Sequence, residues 1–233
     1  MRRRADVSRS CSLLNGAELP GRFIVFEGIE GAGKSTQLDI LAERLRARGT
    51  DPVLTREPGG TELGRQLREY LLSKREDRPE PLIEAFLMVS DRADHVLRLV
   101  RPALEAGRIV LCDRHADATL AYQGGGSGVD EETLIGLNRL ATGGLRPDLV
   151  VLLDLPTERA GGRLDSRGAP ERDRFESEPN AFFTRVRGKY LELARREPQR
   201  WFVLDATRPP AELADEIETR VLTLLSERTQ RSG

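Results

Sequence analysis

Apolar and polar positions follow one another along this chain in two rhythms. Short unbroken apolar runs occur at Phe23–Glu27, Pro52–Thr55, Ile109–Cys112, Leu149–Asp154 and Phe202–Leu204. Each is too short for a helix and is bounded by turn-forming residues, which predicts buried strands. Between them, apolar residues recur three or four apart, the spacing of one helical face. Leu38, Leu41 and Leu45 mark the first such face, with Gly49 as its C-terminal stop. Leu63, Leu67 and Leu71 mark the second. Residues 80–106 are too long for one ordinary helix, and Pro102 predicts a break or kink there. Asp130 caps a helix through Leu134, Leu137 and Leu140 that stops at Gly143–Gly144. Phe182, Val186, Tyr190 and Leu193 form a further stripe, and Leu213, Ile217, Val221 and Leu224 the last. Strands alternating with helices predict an α/β fold, a five-stranded parallel sheet with helices on both faces.

Composition narrows the partners without naming one. The chain has 233 residues and a formal net charge of -1, which gives no overall affinity for nucleic acid or an anionic membrane. No apolar run approaches the roughly 18 residues that span a bilayer. Cys11 and Cys112 are far apart and fit no pairing or metal pattern, so a reducing, cytoplasmic setting is expected. Lys34, Lys74 and Lys189 are the only lysines among 37 basic residues. Arginine clusters therefore carry little information in this chain, and a well-placed lysine carries more than usual. Residues 1–20 are rich in Arg and Ser and lack apolar periodicity, and they read as a disordered extension before a single domain over 21–228.

The first strand runs into "GIEGAGKS", which fits G-x-x-x-x-G-K-[ST] from Gly28 to Ser35. Glycines at Gly28, Gly31 and Gly33 let the backbone curl until successive N–H groups point inward at a polyphosphate. Ile29, Glu30 and Ala32 complete the cradle, and Thr36 opens the helix whose dipole faces the anion. Lys34 would reach the β- and γ-phosphates, and the Ser35 hydroxyl would sit on Mg²⁺. A second Mg²⁺ ligand is expected at the end of a neighbouring strand. Asp113 in "RIVLCDR" is the stronger candidate, because an arginine and a polar cluster follow it, and Asp154 in "VVLLDLP" is its rival. A glycine-rich turn without a ligand explains the geometry, but not why one of three lysines falls inside it.

Loops of this kind serve switches, motors and small-molecule kinases alike. A base-reading N-K-x-D motif is absent, since neither Lys74 nor Lys189 follows an asparagine. "TREPGGTELGRQLR" (55–68), "SDRADH" (90–95) and "DRHADATLAYQGGG" (113–126) are polar, arginine-bearing stretches at the ends of predicted elements. Together with the late "DRFE", these stretches closely resemble those of bacterial thymidylate kinases over about residues 21–205. That resemblance implies the P-loop kinase fold, and Mg²⁺-dependent transfer of the ATP γ-phosphoryl group to dTMP. It further implies that Arg68 and Arg114 hold the acceptor phosphate, with Glu57 of "TREPGG" in the same substrate site. Arg92, Thr119 and Gln123 would read the base. Tyr122 would crowd the sugar where a ribose carries its 2′-hydroxyl, and Glu30 would lie near the 3′-hydroxyl and the transferred group. Relatives are homodimers, and apolar stripes within 80–106 and 130–142 suit either such an interface or packing on the sheet.

Residues 157–178 carry Arg159, Arg163, Arg167, Arg172 and Arg174, a mild excess for so arginine-rich a chain. By composition the segment is a solvated surface. By resemblance it is a lid that supplies a catalytic cation, since the phosphate loop contains no arginine. Arg163 and Arg167 are the candidates, with Arg174 behind them. Two positions depart from the family pattern. "FLMVSDR" puts Met88 where relatives carry the phenylalanine that stacks on the base, with Phe86 read as ordinary helix core. Ala118 replaces a usual serine between Asp117 and Thr119. A kinase of dUMP, UMP or CMP is the nearest alternative, and a non-catalytic nucleotide-binding protein the more distant one.

Overall fold

The computed structural model describes residues 19–74, 77–165 and 174–229. Strand β1 (Arg22–Glu27) leads into α1 (Lys34–Ala47), followed by β2 (Val53–Arg56) and α2 (Glu62–Leu72). Helix α3 (Pro81–His95) continues through a π-helical turn, Val96–Val100, into α4 (Arg101–Glu105). Then come β3 (Ile109–Asp113), the short α5 (Ala116–Thr119) with a π-helical turn at Leu120–Gly126, and α6 (Glu131–Thr142). The chain ends with β4 (Leu149–Asp154), α7 (Thr157–Asp165), a 3-10 turn at Phe175–Ser177, α8 (Asn180–Arg196), β5 (Trp201–Asp205) and α9 (Pro210–Thr229).

The five strands among the described residues are all parallel, in the order β2-β3-β1-β4-β5. This is the five-stranded α/β sheet that the apolar runs predict. Phe23 through Phe26 in the central strand are fully buried, as a parallel strand covered on both faces requires. Alternate side chains point to opposite faces. Phe23 and Val25 pack with Val100, Ala103 and Leu104, while Ile24 and Phe26 join the larger cluster containing Leu41, Leu45 and Val186. The stripes at 182–193 and 213–224 are buried throughout, and Asp130 caps α6 by accepting from the Thr133 N–H at 2.8 Å.

The stretch 80–106 is not one ordinary helix: a π-helical turn at Val96–Val100 interrupts it just before Pro102, and right-handed helical backbone resumes at Arg101. Two expectations are corrected. Leu63 is 42% exposed, since only part of the α2 stripe reaches the core. Phe86 is 46% exposed, on a side of α3 turned away from the sheet, and so is not core.

Strand register positions the site. Phe26 pairs with Asp113 on one side of β3 and Arg56 pairs with it on the other. The loops after β1, β2 and β3 therefore leave the sheet side by side. Neighbouring connections diverge at this end, where β1 lies between β3 and β4, and open parallel sheets bind ligands at such a point.

Candidate active site

The loop after β1 is held by backbone geometry that glycine permits. Gly28 has φ of 137°, and a Cβ there would stand 2.5 Å from the Leu153 carbonyl oxygen. Gly33, at φ 94°, turns the chain into α1. Ile29 and Ala32 are buried and pin the loop to the core, whereas Ser35 and Thr36 at the start of α1 are exposed. Lys34 Nζ donates to the carbonyls of Gly28 (3.1 Å) and Ile29 (3.0 Å). Burial lowers its pKa to about 8, Arg114 adds to the shift, and Asp113, Glu30 and Glu27 oppose it. Phosphate oxygens brought to this nitrogen would restore the charge that burial penalises.

Ser35 Oγ donates to Asp113 Oδ2 at 2.9 Å, while Asp113 Oδ1 is buried and has no partner among the described residues. A hydroxyl and a carboxylate with an unused oxygen fit Mg²⁺, which takes one or two protein oxygens and fills the rest with water and phosphate. No cluster of three or more His, Cys, Asp or Glu side chains forms a separate metal cage among the described residues. Asp154 is engaged elsewhere, by Arg187 Nε at 2.6 Å and Nη2 at 2.9 Å.

Arg114 follows Asp113 with φ of 71°, a left-handed conformation unusual for a side chain with a Cβ. Its guanidinium donates to Gly28 O (2.9 Å), Glu30 Oε1 (2.8 Å) and Tyr190 Oη (3.2 Å), and it stacks 4.7 Å from the Tyr122 ring centre. Tyr122 in turn donates to Glu30 Oε2 at 2.6 Å. Burial raises the Tyr122 pKa well above its ordinary value, so this phenol keeps its proton and donates. Beneath them Glu27, at the end of β1, accepts from Tyr190 Oη (2.7 Å) and the His115 N–H (2.9 Å). Burial raises the Glu27 pKa to about 7, against the pull of Arg114.

The "TREPGG" loop is tied to α3. Glu57 Oε1 meets both His95 Nδ1 and His115 Nδ1 at 2.8 Å, and its Oε2 accepts from Arg92 Nε at 2.9 Å. Burial works against the Glu57 charge, yet His115 and Arg92 hold its pKa well below the carboxylate range. Arg92 is 2% exposed and also donates to Thr119 Oγ1 (3.1 Å), Asn138 Oδ1 (2.6 Å) and the His115 carbonyl (3.0 Å). Asp91 accepts from the Gly59 N–H at 3.1 Å. Both histidines are thus engaged with Glu57.

A cleft of about 170 Å³ opens among these elements. Glu30, Gly31, Lys34, Ser35 and Asp113 line one end, and Glu57, Arg68, Met88, Arg92, Arg114, Ala118, Thr119, Tyr122 and Gln123 line the rest. Arg68 Nη1 donates to the Pro58 carbonyl at 3.0 Å. Met88 is half-buried beside the core, and Asp117 turns away to a bidentate pair with Arg200 (2.7 and 3.3 Å). The Arg163 side chain, Arg167 and Arg172 lie outside the described residues. Arg174 is buried, ion-paired with Glu84 and stacked 4.2 Å from the Phe175 ring centre, and so does not stand free at the phosphate loop.

Several residues of the site have no motif to announce them. Glu27 reads as the last residue of a strand, although a carboxylate closing an apolar run is itself a signal. Tyr190 reads as helix core, and its ring is, but its hydroxyl reaches Arg114 and Glu27. Glu84 lies four residues before Met88 and eight before Arg92, on one face of α3, and that spacing could have found it. Asn138 carries no such mark, and Phe175 lies in the "DRFE" stretch with no role of its own read from it.

The thymidylate kinase family model matches residues 26–217 of the chain. A thymidylate kinase of Desulfovibrio desulfuricans is 52% identical over 211 residues, covering 88% of this chain and 97% of the relative. One of Cupriavidus necator is 50% identical over 206 residues, covering 88% and 99%. The crystal structure of thymidylate kinase from Ehrlichia chaffeensis superposes with a TM-score of 0.67 at 30% identity, covering 88% of this chain and 98% of that one.

Proposed function

The chain belongs to the thymidylate kinase family and is a phosphotransferase, and from that premise we propose how its residues carry the reaction. The donor is ATP and the acceptor dTMP, and the products are ADP and dTDP. The observation that carries this reading is the continuity of one cleft from Lys34 and Ser35 to Met88 and Gln123, with Arg114 and Glu30 between. Donor and acceptor phosphates meet where those cations converge.

The backbone from Gly28 to Thr36 cradles the triphosphate, and Lys34 neutralises its end. Ser35 and Asp113 hold Mg²⁺, which supplies charge neutralisation on the phosphates when bound. At the acceptor end, Arg68 and Arg114 hold the monophosphate. A phosphomonoester has a second pKa of about 6, so its oxygen is already largely ionised at neutral pH. No general base is needed, which agrees with His95 and His115 being spent on Glu57. The obstacle is repulsion between two polyanions, and positioning among cations removes it. Glu30 orients Arg114 and Tyr122 from opposite oxygens and meets the sugar 3′-hydroxyl. Tyr122 closes the space at C2′. Met88 packs on the base face, while Arg92, Thr119 and Gln123 form the edge-reading wall. Arg163 or Arg167 supplies the lid cation.

Two copies of the chain form the working unit. Ile83, Phe86 and Leu97 along α3 and its π-helical extension are exposed, as are Ile135 and Leu140 on the neighbouring α6. A second copy would cover this apolar face. A kinase drawing on ATP and dTMP works in the cytoplasm; among the described residues no helix is long and apolar enough to cross a membrane.

The test is ADP release, coupled to a reporter enzyme, with Mg²⁺, ATP and a panel of dTMP, dUMP, UMP and dCMP. Turnover is expected to be fastest with dTMP, with dUMP behind it by about 10- to 200-fold in kcat/KM, since one methyl group is worth no more. Fastest turnover on a ribonucleotide would overturn the role given to Tyr122. Binding of ATP without turnover of any acceptor would overturn the whole reading.

A further inference from the structure

Behind the wall that faces the base, Arg174, Glu84 and Gln123 form a buried line, at 6%, 4% and 1% exposure. Arg174 Nη2 donates to Glu84 Oε2, and Gln123 Nε2 donates to Glu84 Oε1 at 2.6 Å. Glu84 belongs to α3, Gln123 to the π-helical turn after α5, and Arg174 immediately precedes the 3-10 turn. Three distant parts of the chain thus meet on one carboxylate.

The chemistry of the line runs in one direction. A guanidinium has only donors and keeps its charge, so the carboxylate paired with it has only acceptors. The Gln123 amide must therefore turn its NH2 towards Glu84. Its carbonyl oxygen is the arm left for the cleft that Gln123 lines. Rotating the amide by half a turn would set carbonyl oxygen against carboxylate oxygen with no proton between them. In a buried site such a mismatch is at its most costly.

We propose that the Arg174–Glu84 ion pair is a positioning device for base selection, fixing Gln123 as a hydrogen-bond acceptor. The site then takes pyrimidines with a proton on N3, the one donor on the pairing edge of thymine or uracil. It rejects cytosine, whose N3 is a bare acceptor. This rests on the reading of the chain as a kinase of pyrimidine monophosphates. It gives Arg174 a part in choosing the acceptor, acting through Glu84 and Gln123, in place of a part in phosphoryl transfer.

The test compares full-length wild type, Glu84→Gln and Arg174→Met for kcat and KM with dTMP, dUMP and dCMP at saturating ATP. Thermal melting checks folding. Wild type is expected to favour dTMP over dCMP by at least about 10²-fold in kcat/KM. In Glu84→Gln the new amide offers donor or acceptor, so Gln123 adopts both orientations. The dTMP-to-dCMP ratio should fall at least about tenfold, chiefly through KM, while the dTMP-to-dUMP ratio and the KM for ATP stay put. General damage would lower all three substrates together. Arg174→Met should move the same ratio in the same direction. Folded variants that keep the wild-type dTMP-to-dCMP ratio would overturn the proposal, as would a wild type indifferent to cytosine. Should Glu84→Gln fail to fold, Arg174→Met decides. A further arm needs no variant: wild type should lose at least about 10²-fold in kcat/KM on dTMP methylated at N3, and undiminished turnover would overturn the proposal. Failure of wild type on every pyrimidine would instead count against the functional reading beneath it.

Discussion

Replacing Arg114 by alanine and, separately, by glycine separates what the guanidinium does from what its backbone costs. The guanidinium donates to Gly28 O at 2.9 Å and Glu30 Oε1 at 2.8 Å, and its side chain is only 17% exposed. Two charge-assisted hydrogen bonds to an acceptor phosphate in such a setting are worth about 1.5–3 kcal/mol each. At about 1.36 kcal/mol per tenfold change, both variants should lose about 10²- to 10⁴-fold in kcat/KM for dTMP. Arg68 remains in the cleft and draws the loss towards the smaller figure. Glu30 keeps the Tyr122 hydroxyl at 2.6 Å, so folding should weaken by only about 1–3 kcal/mol. The two variants should differ in stability. Arg114 sits at φ 71°, where a Cβ costs about 1–2 kcal/mol and glycine costs little. Arg114→Gly should therefore be the more stable by about 1 kcal/mol in urea denaturation, with equal loss of activity. The assay is ADP release with dTMP varied at saturating ATP. Activity within tenfold of wild type would refute the phosphate-holding role, and Arg114→Ala proving the more stable would refute the account of its backbone.

Other outcomes follow from the same geometry. Lys34 is protonated below about pH 8 and loses its proton above it, while ATP favours the charged form. Affinity for ATP should fall as pH rises through 8, and binding at pH 8.5 should take up a proton, read by calorimetry in buffers of different ionisation enthalpy. Lys34→Arg, always charged, should abolish that pH dependence. Glu57→Gln leaves Arg92 buried without its counter-charge and should cost about 3–5 kcal/mol in urea unfolding; under about 1 kcal/mol would contradict the buried-pair argument. Met88→Ala should raise KM for dTMP about two- to tenfold with kcat little changed, and an unchanged KM would remove Met88 from the base platform. Among Arg159, Arg163, Arg167 and Arg172, one alanine substitution should lower kcat by about 10³-fold or more without shifting the melting temperature. Four active variants would dispose of the lid cation.

Much of the fold was legible because its signals are local. A fully buried parallel strand must be apolar without interruption, and "FIVF" is; the helices at 180–196 and 210–229 announce themselves by one-sided spacing. The phosphate loop is legible for the same reason, since the glycines, lysine and serine that make it are contiguous. The acceptor half is built differently. Glu27 and Tyr190 meet across 163 positions, and Arg174 and Glu84 across 90. Such partners are set by sheet order and helix packing, which no local pattern encodes. Spacing also tells which residues share a helical face without telling which face looks inward. Phe86 reads as core and is exposed, whereas the acidic Glu84 two residues before it is buried. The π-helical turns at 96–100 and 120–126 are a third kind of blind spot, because widening a helix by one residue leaves no spacing signature in the chain.

The claim on which the rest depends is that this cleft holds a triphosphate and a monophosphate end to end. Titration with adenosine and thymidine joined 5′ to 5′ through a chain of five phosphates addresses it most directly. Joining two bound ligands makes the second contact intramolecular, so the account predicts a Kd at least about 10²-fold below that of ATP or dTMP alone, with both displaced competitively. A linked compound that binds no tighter than ATP, or that leaves dTMP bound, would contradict it.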